Sequence, residues 1–563
     1  MSKKIRIAHL SGPTATIQNS PPLVTSNKAR ANAGLPLRNG PAGAPPRFDA
    51  LRAQRLAAPA KVYIEQFSAH PLERDAAHLY GPPDGYVGAD GAFSKQQRSD
   101  ADVAVYEAEL RPDDGLYPLP YMARQRDGRP WEQECADPES PEQQARQGFY
   151  PDGSRPFEEI DRLGIGADGT AGEASSLADV SFHRVLPPAG FVNGLPAQHR
   201  ADEGEGDIPA ERRGRDFFPY KPRHLSAAPP RPALARVTNE VQRIMSSGDY
   251  DGAIWTQGSP NIEDCAYWLN LLIDTPLPLA CNSAQRPIGQ ISNDGPQNIL
   301  DSIQYLRSRI WAGADGKNRL GVVLMQDQQM FAAREAAKAD ARPGGYIATG
   351  GHGGILGQVN GKRAFVMYAP AYKHTYLSDV RVTQLPDAAW AVRIVNGRLE
   401  RSDIPIRDAR GLLESAIPSV SIVKDGGFCA EDWGRDATLE EDLTALINHK
   451  LRLGRLAGLV VEGTVPSGNM TSNARQDLIV RATHCGLPVV RVGRGYPQGF
   501  AERMPTVIGG SNLTSTKARF LLMAALMKFG SLPPAADPDH PTAAERRAIQ
   551  EAVDRYQAIF DQH

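Results

Sequence analysis

The pattern of apolar and polar positions between residues 251 and 272 predicts a buried strand followed by an amphipathic helix. A short apolar run at residues 253–255 ends before Gly258, which marks a tight turn. Beyond this turn, apolar side chains recur at helical spacing, at Ile262, Cys265, Ala266, Leu269 and Leu272. Asn261 is placed to cap this helix. The turn therefore lies between the carboxyl end of a strand and the amino end of a helix, where backbone N–H groups favour anionic or carbonyl ligands.

Similar patterns predict alternating strands and helices on both sides of this stretch. The predicted strands contain residues 5–10, 62–64, 103–106, 390–394, 420–423, 459–461 and 488–492. The predicted helices span residues 233–245 and 542–560, and a further helix contains residues 517–519. Residues 41–218 differ, because they are rich in Pro, Gly, Asp and Arg and have few long periodic segments. This stretch is too long for an ordinary loop, so we interpret it as an insertion that is either folded or partly disordered.

Composition and charge argue against several classes of protein. The 63 Lys and Arg residues nearly balance the 65 Asp and Glu residues, which argues against a nucleic-acid or polyanion surface. The five cysteines include no pair at metal-ligand spacing, and their odd number is typical of a reducing compartment. No apolar run is long enough to span a bilayer, and the start of the chain does not resemble a signal peptide. We therefore expect a soluble cytoplasmic protein that uses no metal or cofactor and binds neither nucleic acid nor a membrane.

Five motifs follow one another between residues 251 and 375. The first, residues 257–267, reads Gln-Gly-Ser-Pro-Asn-Ile-Glu-Asp-Cys-Ala-Tyr. The others are Gln285-Arg-Pro287 with Ser292-Asn-Asp-Gly-Pro-Gln-Asn298, Met325-Gln-Asp327 with Arg334-Glu-Ala-Ala-Lys338, Gly354-Ile-Leu-Gly357, and Lys373-His-Thr375. In this order they resemble H-G-T-D-T-M-E-E-T-A-Y, M-R-P with S-A-D-G-P-x-N, N-D with R-x-x-x-K, G-P-L-G, and K-H-T of the bacterial L-asparaginases. Because five motifs agree in register, the chain resembles a divergent member of that family with a large insertion.

The resemblance implies an α/β fold of two domains. The larger N-terminal domain, residues 1–40 and 219–395, would be built on a flavodoxin-like parallel sheet. The smaller C-terminal α/β domain would occupy residues 416–563, with residues 396–415 as the linker. The long irregular insertion, residues 41–218, would follow the first strand as a lid or an interface segment. Family members are usually tetramers of close dimers, so we expect a homo-oligomer, either a dimer or a tetramer.

The resemblance also implies which residues carry the chemistry. The family places two threonines, a lysine and an aspartate around one substrate carbonyl. Thr14 matches the first threonine, Ser259 supplies a hydroxyl at the second, and Lys338 matches the lysine. Either hydroxyl is a candidate nucleophile, and Lys338 is the candidate base. The structural alternatives are a turn threonine for Thr14 and an exposed residue of a polar helix for Lys338.

Five positions are candidates for substrate binding. Ser226 matches a family serine that holds the substrate's α-carboxylate, and a helix cap is an equal alternative for it. Gln257 and Asn261 replace a histidine and a threonine, and both can donate hydrogen bonds. Gly258 belongs to the same turn. Pro260 stands where the family has an aspartate that binds the substrate's α-ammonium, so this recognition should be lost.

Two departures from the family determine the predicted function. The aspartate is replaced, and residues 18–40 lack the tyrosine that activates the family's nucleophile. We therefore predict an asparaginase-like amidohydrolase that cleaves the C–N bond of an amide, lactam or cyclic imide without a free α-amino acid head. The alternatives are a true L-asparaginase or glutaminase whose insertion supplies the missing acid and tyrosine, and a non-catalytic amide-binding protein. We expect part of residues 41–218 to cover the pocket and exclude water.

Overall fold

Two compact units make up the structure, which is a computed structural model. The structure describes residues 4–12, 60–64, 82–88, 93–110, 177–184, 231–286, 292, 294–340, 345–349, 352–360, 363–425, 440–465, 467–494 and 500–563. The N-terminal unit comprises Met1–Ala228 and Arg286–Ile303, and the main unit comprises Pro229–Gln285 and Gln304–His563. The domain boundaries given above stay predictions.

The N-terminal unit contains a parallel strand pair and a small antiparallel sheet. Its described strands are β1 (Ile5–Ser11), β2 (Ala60–Ile64), β3 (Gly85–Val87), β4 (Phe93–Ser94), β5 (Val103–Leu110) and β6 (Ala178–Arg184). β1 pairs in parallel with β6, and Ile5 lies opposite Ala178. The antiparallel sheet has the order β2-β5-β3-β4. Because β2 to β5 all lie within residues 41–218, the predicted insertion contains regular sheet structure.

Strands and helices alternate at the two ends of the main unit, as the periodicity predicts, whereas the described residues between 322 and 424 form strands without an intervening α-helix. Its described strands are β7 (Gly252–Thr256), β8 (Leu279–Asn282), β9 (Val322–Gln326), β10 (Gln329–Ala332), β11 (Ala336–Lys338), β12 (Tyr346–Ala348), β13 (Ile355–Asn360), β14 (Arg363–Val366), β15 (Ala388–Val395), β16 (Arg398–Pro405), β17 (Arg407–Asp408), β18 (Gly411–Leu412), β19 (Ser419–Lys424), β20 (Ala457–Gly463), β21 (Val489–Gly493) and β22 (Ile508–Gly509). The described α-helices of the chain are α1 (Ala233–Met245), α2 (Ser259–Leu272), α3 (Gly295–Ser308), α4 (Glu441–Leu453), α5 (Asn473–His484), α6 (Ser515–Phe529) and α7 (Ala543–Gln562).

The first sheet of the main unit is mixed, which corrects the predicted flavodoxin-like parallel sheet. Its strands follow the order β14-β13-β10-β9-β8-β7. β7, β8 and β9 are parallel, whereas β10, β13 and β14 join by antiparallel pairing. The reversal occurs at Asp327 and Gln328, whose φ angles of 52° and 64° form a two-residue turn between β9 and β10. A turn of this kind matches the twist of two antiparallel strands, so the chain folds straight back along β9.

Helix α2 begins at Ser259, two residues earlier than the predicted cap at Asn261. Gly258 is the N-cap residue, with an extended backbone at φ −61° and ψ 138°. Pro260 lies in the first turn, where its missing N–H costs no helical hydrogen bond and its fixed φ suits the helix. The Asn261 side chain is exposed, and its backbone N–H donates to the Gly258 carbonyl at 3.3 Å. The apolar spacing was correct, because Ile262, Ala266, Leu269 and Leu272 are fully buried.

The second sheet of the main unit is parallel, with the order β19-β20-β21-β22. Helix α6 covers it and is buried along most of its length, from Phe520 to Met527. The same apolar core includes Tyr267 and Trp268 of α2, so α6 contacts the second sheet on one side and α2 on the other. A helix that is apolar all round is one that the protein surrounds. Helix α2 and the C-terminal part of the chain therefore share one hydrophobic core.

A buried lysine fixes α6 against α2. Lys517 is 1% exposed, and its Nζ donates to the carbonyl oxygens of Glu263 at 2.5 Å and Ala333 at 2.7 Å. Burial lowers the pKa of Lys517, and the neighbouring carboxylates of Asp264 and Glu263 oppose this shift. Because Glu263 belongs to α2 and Ala333 follows β10, one ammonium group connects three separate elements.

A second buried cation holds the region around β19 together. Arg475 donates to Asp425 at 3.2 Å and to Glu440 at 3.1 Å, and both carboxylates are buried. Asp425 also accepts hydrogen bonds from the backbone and hydroxyl of Thr471 at 2.7 and 2.9 Å. Glu440 caps α4 by accepting from the Leu443 N–H at 2.8 Å. The guanidinium thus supplies the positive charge that makes two buried carboxylates tolerable.

We predict that Arg475→Met strongly destabilises the main unit, because it leaves two buried carboxylates without their cation. Removing one partner of a buried ion pair costs about 3–5 kcal/mol. The free energy of unfolding in urea measures this cost. Arg503→Met is the matched control, because the Arg503–Asp554 pair is exposed, and exposed pairs contribute about 0–1 kcal/mol. Equal stability of the two variants would contradict the prediction.

Candidate active site

Ser259 and Lys338 lie in direct contact at the start of α2. The Lys338 Nζ donates to the Ser259 Oγ at a distance of 2.7 Å. Ser259 is the first residue of α2 and is 8% exposed, whereas Lys338 is the last residue of β11 and is half-buried. Lys338 is therefore not part of the polar helix that was its structural alternative. The structure brings together two of the three residues that the sequence predicts to be catalytic.

Tyr346 reaches the same serine from the neighbouring strand. β11 and β12 form a two-stranded antiparallel ribbon in which Lys338 lies opposite Tyr346. Cross-strand partners lie on one face of a ribbon, so both side chains point toward Ser259. The Tyr346 hydroxyl donates to the Ser259 carbonyl oxygen at 2.7 Å, and it also hydrogen-bonds the side chains of Ser283 and Gln285. Burial raises the pKa of Tyr346 to about 12, so the phenol stays a neutral donor at physiological pH.

Gln285 provides a second donor to the serine hydroxyl. Its Nε2 lies 3.1 Å from the Ser259 Oγ, and it follows β8 in the chain. The Ser283 hydroxyl, two residues earlier, donates to Gln326 Oε1 at 3.2 Å. The site therefore surrounds Ser259 with side chains from β11, β12 and the segment after β8.

Glu263 supports the site from the next turn of α2. Its carboxylate accepts a hydrogen bond from the backbone N–H of Lys338, which fixes the end of β11 against the helix. Burial raises the pKa of Glu263, although the nearby Lys517 ammonium opposes this shift. Glu263 is thus the carboxylate that the structure places beside Lys338, where the sequence had left the missing family aspartate without a replacement.

The predicted substrate-binding residues of the β7–α2 turn have different surroundings. Gln257 is 1% exposed. Its Oε1 accepts from Trp255 Nε1 at 2.8 Å, and its side chain also bonds the Cys265 thiol. The Gln257 side chain is therefore engaged inside the protein, and burial raises the pKa of the Cys265 thiol to about 12. Gly258 and Pro260 form the start of α2, and the exposed Asn261 side chain lies beyond them.

Some predicted residues lie outside the described part of the chain. Thr14 and Ser226 belong to this group, so their roles stay predictions. The same holds for residues 41–218 as a lid, although parts of that insertion are described. Within the described residues, no group of three or more His, Cys, Asp or Glu side chains is arranged to hold a metal ion. No helix of that part of the chain has the length and hydropathy needed to cross a membrane.

Sequence reasoning missed three functional candidates, namely Glu263, Gln285 and Tyr346. Glu263 and Gln285 lie within the recognised motifs, but their spacing gives no sign that they contact Lys338 or Ser259. Glu263 has one available signal, because it follows Ser259 by one helical turn and so shares its face. Tyr346 had no signal in the sequence, because its contact depends on the register of a short ribbon.

Part of this chain, which includes Ser259 and Lys338, is similar to known proteins. Residues 224–371 match the family model Asparaginase, N-terminal. A glutaminase-asparaginase from Acinetobacter glutaminasificans is 27% identical over 166 residues, which cover 29% of this chain and 47% of the relative. L-asparaginase 2 from Bacillus subtilis is 27% identical over 107 residues, which cover 19% of this chain and 27% of the relative. The matched region spans less than half the length of either relative.

A solved structure is similar over a longer stretch. The crystal structure of a probable cytoplasmic L-asparaginase from Campylobacter jejuni matches with a TM-score of 0.44 and 19% identity, covering 69% of this chain and 92% of that chain. The family model and the sequence relatives agree with the resemblance read from the motifs, so the chain is similar to asparaginases over residues 224–371. Its sequence relatives are amidohydrolases, which act on carbon–nitrogen bonds other than peptide bonds.

We predict that Glu263→Gln changes how stability depends on pH. Burial raises the pKa of Glu263 above its ordinary value of 4.5. As pH rises above 4.5 toward this raised pKa, the unfolded chain loses its proton while the folded protein keeps it, so wild-type stability falls. Glutamine does not titrate and can still accept from the Lys338 N–H. The melting temperature of Glu263→Gln relative to wild type should therefore rise as pH increases above 4.5.

Glu545→Gln is the control, and it has the opposite sign. Hydrogen bonds from the backbone of Ala536 and Thr542 lower the pKa of Glu545. Its contribution to stability is complete above the ordinary value of 4.5 and is lost as pH falls below it, so this variant should lose stability relative to wild type as pH rises to 4.5 and change little above it. A Glu263→Gln difference that stayed flat or fell as pH rose above 4.5 would contradict the prediction.

Proposed function

We propose that this chain is an amidohydrolase in which Ser259 is the nucleophile and Lys338 is the general base. The observation that carries the proposal is the 2.7 Å contact between Lys338 Nζ and Ser259 Oγ. A serine hydroxyl is a weak nucleophile until a positioned base takes its proton, and an amine at hydrogen-bond distance can do this. Thr14 remains the alternative nucleophile, in which case the Ser259–Lys338 pair would receive its proton.

The proposed reaction proceeds in two steps. The Ser259 Oγ attacks the amide carbonyl carbon while its proton moves to an unprotonated Lys338. Lys338 then returns this proton to the leaving nitrogen as the C–N bond breaks, which leaves an ester on Ser259. An open-chain amide releases ammonia or an amine at this point, whereas the nitrogen of a lactam or cyclic imide stays attached to the ring-opened acyl group. In the second step Lys338 takes a proton from water, the hydroxide oxygen attacks the ester, and Ser259 regains its proton as the carboxylic acid leaves.

The proposed substrate is an amide, lactam or cyclic imide without a free α-amino acid head. Pro260 occupies the position of the family aspartate and offers neither charge nor a side-chain acceptor. A substrate ammonium group would therefore lack the partner that the resemblance implies for it. The second candidate is a true L-asparaginase or glutaminase, which the names of the relatives favour. A cytoplasmic location and assembly into dimers or tetramers are further parts of this proposal.

We predict that Ser259→Ala and Lys338→Met each lower turnover by at least about 100-fold, because general-base catalysis contributes about 10²–10⁴-fold. The assay measures substrate loss and product mass by liquid chromatography with mass spectrometry across a panel of amides, imides and lactams. Lys317→Met is the matched control, because Lys317 is exposed and packs on the Tyr376 ring. All three variants should keep the wild-type melting temperature within a few degrees. Full activity of Lys338→Met would exclude Lys338 as the base, and no turnover of any compound would favour a non-catalytic amide-binding protein.

We also predict that L-asparagine and L-glutamine are poor substrates, because Pro260 cannot bind their α-ammonium group. Their kcat/KM should lie below about 10⁴ M⁻¹s⁻¹, the lower end of the ordinary enzyme range. The direct comparison is between each amino acid and its N-acetylated form, which removes the ammonium charge and keeps the side-chain amide. Preference for the free amino acid over the acetylated form would instead support the asparaginase or glutaminase candidate.

A further inference from the structure

The side-chain amide of Gln285 contacts both Ser259 and Tyr346. Its Nε2 lies 3.1 Å from the Ser259 Oγ, and its side chain also hydrogen-bonds the Tyr346 hydroxyl. The Tyr346 hydroxyl in turn donates to the Ser259 carbonyl oxygen at 2.7 Å. A primary amide has two N–H donors, so one can serve the serine and the other the phenol. These contacts form a closed ring through Ser259, Tyr346 and Gln285.

Lys338 and Gln285 both donate to the Ser259 oxygen, and they differ in what happens to them during the reaction. Lys338 must accept the serine proton, so its Nζ cannot remain a donor to that oxygen while the proton moves. The Gln285 amide does not titrate, so its N–H stays a donor throughout. As the proton leaves, negative charge grows on the Ser259 oxygen, and a hydrogen bond to a charged acceptor is stronger than one to a neutral acceptor. The Gln285 contact therefore strengthens toward the transition state, which is the condition for lowering the barrier.

The Gln285 amide is also oriented before the reaction begins. The phenol that bonds Gln285 is buried and stays neutral, because burial raises the pKa of Tyr346 to about 12. The hydroxyl of Ser283, which precedes Gln285 by two residues, bonds both Tyr346 and Gln326. A donor that is already oriented needs no rearrangement when charge develops, and this makes its contribution larger than that of water.

We propose that Gln285 is a catalytic residue of this site, a permanent hydrogen-bond donor that stabilises the Ser259 oxygen as it loses its proton. The proposal rests on the proposed role of Ser259 as nucleophile. Tyr346 is the positioning residue that orients the Gln285 amide.

Gln285→Met is the first test, because methionine is similar in length and has no N–H donor. The variant should lose about 10²–10³-fold in kcat, the usual effect of removing one donor from a developing oxyanion. KM should change much less, since the contact is to the enzyme's own oxygen. Gln550→Met is the matched control. Gln550 accepts from the Thr506 N–H at 3.0 Å and donates to Asp554 at 2.9 Å, so its loss removes a comparable set of bonds elsewhere.

Gln285→Glu tests the donor itself, because it keeps the shape of the side chain. An ionised glutamate cannot donate, whereas a protonated glutamic acid can. The activity of Gln285→Glu relative to Gln285→Met should therefore rise as pH falls toward 5. A purely structural role for Gln285 would leave this ratio constant with pH. Gln285→Glu also keeps the proposal testable if the methionine variant does not fold.

Tyr346→Phe tests the orienting role, because it removes one hydroxyl and keeps the buried ring. Kcat should fall by about 10-fold or more, since the amide loses the partner that orients it. Tyr305→Phe is the control: Tyr305 is also buried, and its hydroxyl has no hydrogen-bond partner among the described residues. Its activity should equal that of wild type. Equal activity of Tyr346→Phe and Tyr305→Phe would remove Tyr346 from the proposal.

Labelling of Ser259 separates this inference from the proposed function. A fluorophosphonate probe phosphonylates an activated serine without needing the natural substrate, and intact mass spectrometry follows the rate. We expect wild type to be labelled, Ser259→Ala to remain unlabelled and Gln285→Met to be labelled at least about 10-fold more slowly. If no amide is turned over but labelling depends on Gln285, the proposed function fails and the inference stands. Equal labelling rates and equal turnover of wild type and Gln285→Met would overturn the inference, as would a wild-type Ser259 that is never labelled.

Discussion

The ammonium group of Lys517 is the interaction on which the geometry of the main unit depends. It is buried between α6, α2 and the segment after β10, and it bonds backbone carbonyls rather than a single counter-ion. A buried cation tolerates little movement of its acceptors, because any lost hydrogen bond exposes the full cost of desolvation. The start of α2 and the approach to β11 are thereby held in one arrangement. Ser259 and Lys338 stand at the ends of these two elements, so their contact is a consequence of this constraint.

The local elements of the main unit followed from the sequence, because they depend on short-range periodicity. The buried run of β7 and the apolar face of α2 are where the pattern predicts them. The start of α2 was wrong because Asn261 has the chemistry of a cap, whereas Pro260 suits the first turn and moves the cap to Gly258. The parallel pairing of β7, β8 and β9 agrees with the predicted sheet, but the reversal of direction at β10 was not predicted. It depends on the backbone of Asp327 and Gln328, two residues with no glycine to signal a left-handed turn.

The site could be predicted only in part, because its contacts depend on residues that are far apart in the sequence. Ser259 and Lys338 were found through motifs that resemble a known family, and no local pattern alone would have paired them. Gln285 and Tyr346 were missed because their contacts join segments that are distant in sequence. The result is a serine held by one titratable donor and two neutral donors. In the proposed reaction the proton moves between the serine and the lysine, while the amide and the phenol keep their protons and hold the serine in place.

The β11–β12 ribbon makes the composition of the site depend on the pairing register of two short strands. Lys338 and Tyr346 share a face because they are cross-strand partners in this ribbon. Side chains alternate between the two faces of a strand, so a shift of one residue would turn Tyr346 away, and a shift of two would restore a side chain to the same face. The pairing register of this ribbon therefore decides which side chain holds the serine carbonyl. After a change that moved the register by one residue, a different side chain would have to hold this carbonyl.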